Sequence, residues 1–357
     1  MPEFIRGCEL SRRFYLELIL PLLAERLPSA PHAAAFVGYG SDVLGFETAM
    51  SMDHGWCARV TIFLTDGDYA RHGSALDTWF QERIPAQFAG HPTAATSDAG
   101  SWFGVKFETV RCFLRRELFG IEFQPGQPIA VQQWLTFSEQ QLLHVTAGEV
   151  FRDDVGELRA ARQALAYYPR SVWLYLLAAG WARIGQEEAF VGRTGDVGDE
   201  IGSALIASRL VRDLMRLCFL MERTYAPYSK WFGSAFRRLA CASALEPIFG
   251  SVLSASGWRA RQGALCEAYG VVAHMHNALG ITEPLPEGAT PFHERPFLVI
   301  HGGEFAKRIV EGIEDKQVRS IADNTLIGSV DQFSDSADLL MAAHLRPGMA
   351  RLYETKG

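Results

Sequence analysis

A chain of 357 residues that is 48% hydrophobic can bury more than one core, so two domains are expected. The formal net charge of −7, from 34 Lys and Arg against 41 Asp and Glu, argues against a broad nucleic-acid-binding surface, because affinity for a phosphate backbone comes from clustered cations. The six cysteines show no C-x-x-C pairing and read as reduced thiols, and no apolar run is long enough to span a bilayer, so a cytoplasmic location without a membrane partner is expected.

Residues 8–27 form the first predicted helix, with Phe14, Leu16, Leu18, Ile19 and Leu22 as its apolar stripe and Pro21 as a kink. A short strand over Ala33 to Val37 then runs into the turn Gly38-Tyr39-Gly40-Ser41, and Cys57 to Leu64 reads as a second strand. Thr65-Asp66-Gly67-Asp68 signals a turn ahead of an amphipathic helix over 68–83, and the Ala-, Thr-, Ser- and Gly-rich stretch from Gly90 to Gly104 reads as a surface loop. The run Val105 to Val110 alternates as a strand, which puts Lys106 and Glu108 on one face.

After Pro125-Gly126-Gln127-Pro128 helical periodicity takes over, with helices expected over 157–168, 171–190, 197–225, 227–242, 244–255, 257–279 and 302–313. The fold class is therefore α+β: a mixed α/β domain over 1–128, then an all-helical domain over 129–357 whose C-terminal extension closes the cleft. The ligand is expected in that cleft.

The richest stretch is Gly38-Tyr39-Gly40-Ser41-Asp42 through Asp53-His54-Gly55-Trp56, followed by the strand-like Arg59-Val60-Thr61-Ile62-Phe63-Leu64. It resembles the signature of the nucleotidyltransferase superfamily, in which a Gly-Ser turn approaches a triphosphate and an Asp-x-Asp on the next strand holds magnesium. The resemblance implies that Gly40 and Ser41 meet the donor's phosphates and that Asp53 is a metal ligand. Carboxylates at i and i+2 of a strand point to one side and can clamp an ion between them. Here the second acidic position is Gly55, so Asp53 lacks that partner. Three readings follow: an ordinary glycine turn beside a lone Asp, a clamp completed by Asp42, Glu47 or Glu108, or a fold whose metal chemistry is weakened or replaced.

Further stretches extend the likeness. Leu135-Thr136-Phe137-Ser138-Glu139-Gln140, Val145 to Phe151, Tyr167-Tyr168-Pro169, Gln186 to Arg193, Tyr225-Ala226-Pro227-Tyr228-Ser229-Lys230-Trp231 and Gly328 to Phe333 are similar, over nearly the whole chain, to a bacterial family of uncharacterised nucleotidyltransferase-like proteins labelled DUF4037. The family pattern Asp-His-Asp-Trp-Gly-Pro-Arg stands against Asp53-His54-Gly55-Trp56-Cys57-Ala58-Arg59 here, and Val-Glu-Val against Val105-Lys106-Phe107. Two carboxylates are thus missing and one position has become a cation. Lys106 repels magnesium but suits a phosphate.

In the helical part, Arg209, Asp213 and Arg216 fall at neighbour spacing, so they are expected to share a face and pair. The alternative puts an arginine such as Arg209 on an anionic ligand. Tyr228 and Lys230, beside Pro227, are either packing groups or contacts to the phosphates. Glu187, in the cluster Gln186-Glu187-Glu188 with Arg193, is either a general base for an acceptor hydroxyl or part of a helix-terminal charge cluster. His274 and His276 are excluded as a metal pair, since i and i+2 side chains of a helix do not face each other. Asp331 and Asp335 read as carboxylates at helical spacing, either solvated or directed to the cleft.

The expected function is transferase chemistry on a small hydroxylated, sugar-like or aminoglycoside-like acceptor. The candidate catalytic residues are Asp53, Glu108 and Glu187, and the candidate donor-binding residues are Gly40, Ser41, Lys106, Tyr228, Lys230 and Arg209. The donor is a nucleotide or sugar nucleotide. The superfamily implies magnesium, against which Gly55 and Lys106 argue. The alternatives are a metal-independent group transferase, such as a glycosyltransferase of specialised metabolism, and a non-catalytic nucleotide or metabolite sensor.

Overall fold

The computed structural model describes residues 3–53, 55–97, 100–118, 120 and 126–354, without the side chains of residues 53, 96–97 and 100–102. His54 therefore lies outside the described residues, as does the side chain of Asp53. Contacts divide the chain into two units, residues 1–128 with 140–166, and residues 129–139 with 167–357.

The first unit is built on a four-stranded sheet. Helix α1 (Gly7–Phe14) passes through a π-helical turn into α2 (Leu20–Arg26), and Pro21, which cannot donate to the helix ladder, stands just after that turn. Then come β1 (His32–Phe36), β2 (Val60–Leu64), α3 (Asp66–Gln81), β3 (Val105–Glu108), α4 (Val110–Glu117), α5 (Glu139–Thr146) and β4 (Glu149–Asp153). The strand order is β3-β2-β1-β4, with β1 antiparallel to both neighbours and β2 parallel to β3.

Alternation along the strands sorts the side chains. Ala34, Val60, Ile62, Leu64, Val105 and Phe107 join Leu10, Phe14, Ile19, Leu76 and Phe80 in one buried core. Phe63 points the other way and meets Phe113 of α4 edge-on, with ring centroids 5.4 Å apart. Thr65 and Thr109, at the strand ends, cap α3 and α4 by accepting from Asp68 N and Cys112 N.

Three expectations change. The second strand begins at Val60, so Asp53 belongs to a 3-10 turn over Ala49–Asp53 and not to a strand. The stretch read as a loop contains an antiparallel pair, Ala94–Ser97 with Gly100–Phe103. The segment 140–166, placed by its sequence in the helical part, returns to the first unit because β4 pairs with β1 across a bulge at Ala34/Ala35.

The second unit is helical: α6 (Arg170–Glu187), α7 (Phe190–Asp196), α8 (Glu200–Met221), α9 (Ser229–Phe236), α10 (Ala242–Ser254), α11 (Trp258–Ala278) and α12 (Gly302–Glu311), followed by shorter helices. Its core includes Trp173, Tyr175, Trp181, Phe219 and Tyr269, each almost fully buried.

Candidate functional site

The turn after β1 is shaped by an ion pair. Arg59, just before β2, forks onto the buried Asp42, with Nη1 2.5 Å from Oδ2 and Nη2 3.0 Å from Oδ1, and it also donates to the Tyr39 carbonyl. Gly40 has φ +139°, and a Cβ there would stand 2.1 Å from Asp42 Oδ1. The glycine is required by the closeness of the pair.

The other carboxylates near this turn are also engaged. Glu47 accepts from Gly7 N at 2.9 and 3.1 Å, which caps α1, and from Trp56 Nε1 at 3.0 Å. Burial still pushes its carboxyl up, because these donors offset only part of the lost hydration. Glu108, 4% exposed, accepts from Arg116 at 2.5 and 3.2 Å and faces Lys106 Nζ at 3.3 Å. Lys106 and Glu108 thus meet on one face of β3, as alternation implies.

Arg116 continues the network. Its Nε is 3.0 Å from Glu117, whose other oxygen is 3.0 Å from His144 Nδ1. Burial pushes the Glu117 carboxyl up, and His144 and Arg116 more than offset this, so it is held below the ordinary carboxylate range. The His144 carbonyl accepts from Gly38 N at 2.9 Å, and the Tyr39 ring stands edge-on to the His144 ring. A connected path therefore runs from the glycine turn through His144, Glu117, Arg116 and Glu108 to Lys106, whose side chain is half exposed. His144 and Glu117 were not singled out from the sequence, since their meeting depends on 140–166 returning to this unit.

Among the described side chains, the carboxylates that could complete a magnesium clamp are already engaged. Asp42 and Glu108 are neutralised by guanidinium forks, and Glu47 caps a helix. Gly55 has φ +69°, a left-handed conformation that favours glycine by itself. Among the described residues no three His, Cys, Asp or Glu side chains are grouped to hold an ion. The arrangement does provide a glycine turn and, along the same network, an accessible ammonium, both suited to an anionic group.

In the second unit, Glu187 and Arg209, read separately from the sequence, form an ion pair, while the other Glu187 carboxylate oxygen is buried without a protein partner. Asp213 bonds Arg183 at 3.1 Å, so the expected pairing among Arg209, Asp213 and Arg216 is replaced by partners on other elements. Glu188 accepts from Ile300 N, His301 N and Gly302 N and caps α12; burial pushes its carboxyl up to about 6. Tyr228 precedes α9 and packs edge-on against Trp231 at 4.9 Å, and the exposed Lys230 places Nζ 5.5 Å from the same ring. His274 and His276 do point to different surroundings, with His274 exposed beside Glu287 and His276 buried against Thr282.

Four of the stretches that carry the family likeness converge in this unit. Asp331 is buried and accepts from Glu139 N at 2.8 Å, and Glu139, also buried, accepts from Ala226 N at 3.1 Å. Arg216 Nη1 is 3.7 Å from Glu139, and the rings of Tyr167, Tyr168 and Tyr225 pack together at 5.1–5.2 Å. Burial, reinforced by the neighbouring carboxylate, pushes Glu139 up to about 8, and burial also raises Asp331. Asp331 is therefore not solvated, and Asp335, outside the short helix Val330–Phe333, pairs with Arg212.

Residues 134–232 match the model of a protein family described as a domain of unknown function (DUF4037). The match takes in Glu139, Glu187, Arg209, Tyr228 and Lys230 and leaves the glycine turn, Asp53 and Lys106 outside it. No curated protein matches the chain.

Proposed function

We propose that the protein is a transferase that takes an anionic, nucleotide-type donor at the Gly38–Ser41 turn and passes a group from it to a small hydroxylated acceptor, without a carboxylate clamp on magnesium. The observation that carries this reading is the state of Glu108. The carboxylate best placed on β3 to complete such a clamp is already covered by Arg116 and Lys106. Displacing two cations from a buried carboxylate costs more than a loosely held ion returns. Arg116 is also held by Glu117, so the charges of this network balance, while the exposed ammonium of Lys106 retains donors for a phosphate oxygen.

In this reading the backbone of the glycine turn, held by the Asp42–Arg59 pair, orients the donor, and Lys106 binds its charge. The test is calorimetric titration of nucleoside triphosphates and nucleotide sugars into the wild-type protein and Lys106→Ala, followed by product analysis with hydroxylated acceptors. Lys106→Ala is expected to weaken binding about tenfold, the loss of one charge-assisted contact. Unchanged affinity would remove Lys106 from the site. Binding without turnover on any acceptor would contradict transfer and favour the sensor reading.

A further inference from the structure

Two cysteines far apart in the sequence meet in the second unit. Cys218 is buried on α8 and Cys241 stands half-buried at the N-cap of α10, both as free thiols, and their side chains hydrogen-bond to each other. The backbone holds this meeting in place. Glu222, whose N–H bonds the Cys218 carbonyl at 2.9 Å, accepts with its two carboxylate oxygens from Ala240 N at 2.7 Å and from Cys241 N at 2.9 Å. The start of α10 is thereby pinned against the turn of α8 that carries Cys218.

Adjacent thiols serve as metal ligands, as nucleophiles or as a dithiol that oxidises. A metal needs further ligands, but Glu222 is engaged with two backbone amides, and no three metal-binding side chains are grouped among the described residues. Cys218 is a poor nucleophile by itself, because its hydrogen bond to Cys241, reinforced by burial, pushes the thiol well above its ordinary range. Oxidation of the pair requires only that one thiol be accessible and the second be within reach.

We propose that Cys218 and Cys241 form a redox modification site, at which a hydroperoxide converts the two thiols to a disulfide. Cys241, the accessible member, reacts first. Its sulfur bonds to one oxygen of hydrogen peroxide as the O–O bond breaks, water leaves and a sulfenic acid remains. The Cys218 sulfur then displaces the hydroxyl: the S–S bond forms, the S–O bond breaks, and the hydroxyl takes the Cys218 proton and leaves as a second water. The two thiols lose two electrons in all, and the peroxide gains them. The bridge closes the loop from Phe219 to Ala240, which carries Tyr228 and Lys230, onto α8. The proposal is independent of the transferase reading.

The test treats the reduced full chain with hydrogen peroxide at low protein concentration, blocks the remaining thiols with iodoacetamide and digests with trypsin without reductant. Cleavage at Arg223, Lys230, Arg237 and Arg238 separates the two cysteines, so a bridge is read by mass spectrometry as linked peptides. Linked Cys218 and Cys241 peptides are expected, together with a rise in thermal midpoint that dithiothreitol reverses, because a closed loop restricts the unfolded chain. Cys241→Ser, a residue that also suits a helix N-cap, should lose both the link and the rise while keeping the circular dichroism of the wild type. Cys218 and Cys241 recovered unlinked, alkylated or overoxidised, once the exposed Cys112 has been oxidised, would overturn the proposal. Links that join either residue to a different cysteine would overturn it too.

Discussion

One cluster of buried carboxylates in each unit is satisfied by opposite means. In the first, Asp42 receives both arms of Arg59 and Glu108 receives Arg116 and Lys106, so burial is matched by opposite charge at hydrogen-bond distance. In the second, Glu139 and Asp331 lie together and share one more distant guanidinium, Arg216 at 3.7 Å from Glu139. The first arrangement fixes charge and leaves little carboxylate for a metal. The second disfavours charge, so burial raises both carboxyls above the ordinary range. A buried carboxylate therefore says nothing about chemistry until its cations have been located.

The largest test of this contrast is Arg59→Met. It leaves Asp42 buried without its cation and is expected to cost roughly 3–5 kcal/mol in chemical denaturation. Adding Asp42→Asn should recover much of the loss, because the remaining group is no longer charged. A single variant as stable as wild type would show that the pair does not shape the turn.

The pH dependence of the second unit sharpens the other half. Glu139 has its folded pKa raised above the unfolded value of 4.5, to about 8. Its folded form therefore binds more protons than the unfolded chain between these values, and stability falls as pH rises through that window. The contribution is fully present below the unfolded pKa and lost above the folded one. Glu139→Gln, which keeps an acceptor for Ala226 N, should flatten the decline and be more stable than wild type at alkaline pH, as read by thermal unfolding at matched ionic strength. Parallel profiles for the two proteins would remove Glu139 as the titrating group.

A smaller effect is expected at Gly55. Because φ is +69°, Gly55→Asp should destabilise by about 1–2 kcal/mol through backbone strain and create no magnesium binding, checked by denaturation and by calorimetry with the ion. Tight magnesium binding by this variant would restore the lost-ligand account.

Local signals were legible in the sequence. Alternation placed Lys106 with Glu108, and hydrophobic periodicity found most of the helices from 170 to 278, although it missed the separate helix Phe190–Asp196. What failed was long-range pairing. Glu149 to Asp153 is a short run beside helical sequence, and nothing local shows that it pairs with β1 more than a hundred positions earlier. The partners of Asp42, Glu47 and Asp331 are likewise fixed by tertiary packing. A motif gave the residue types around the glycine turn, but not that its carboxylates were already engaged.

The most direct measurement of the central claim is calorimetric titration of a nucleoside triphosphate or sugar nucleotide into the protein with magnesium and with a chelator. The account predicts binding that persists in the chelator and weakens in Lys106→Ala. Binding that appears only with magnesium and is indifferent to Lys106 would contradict it.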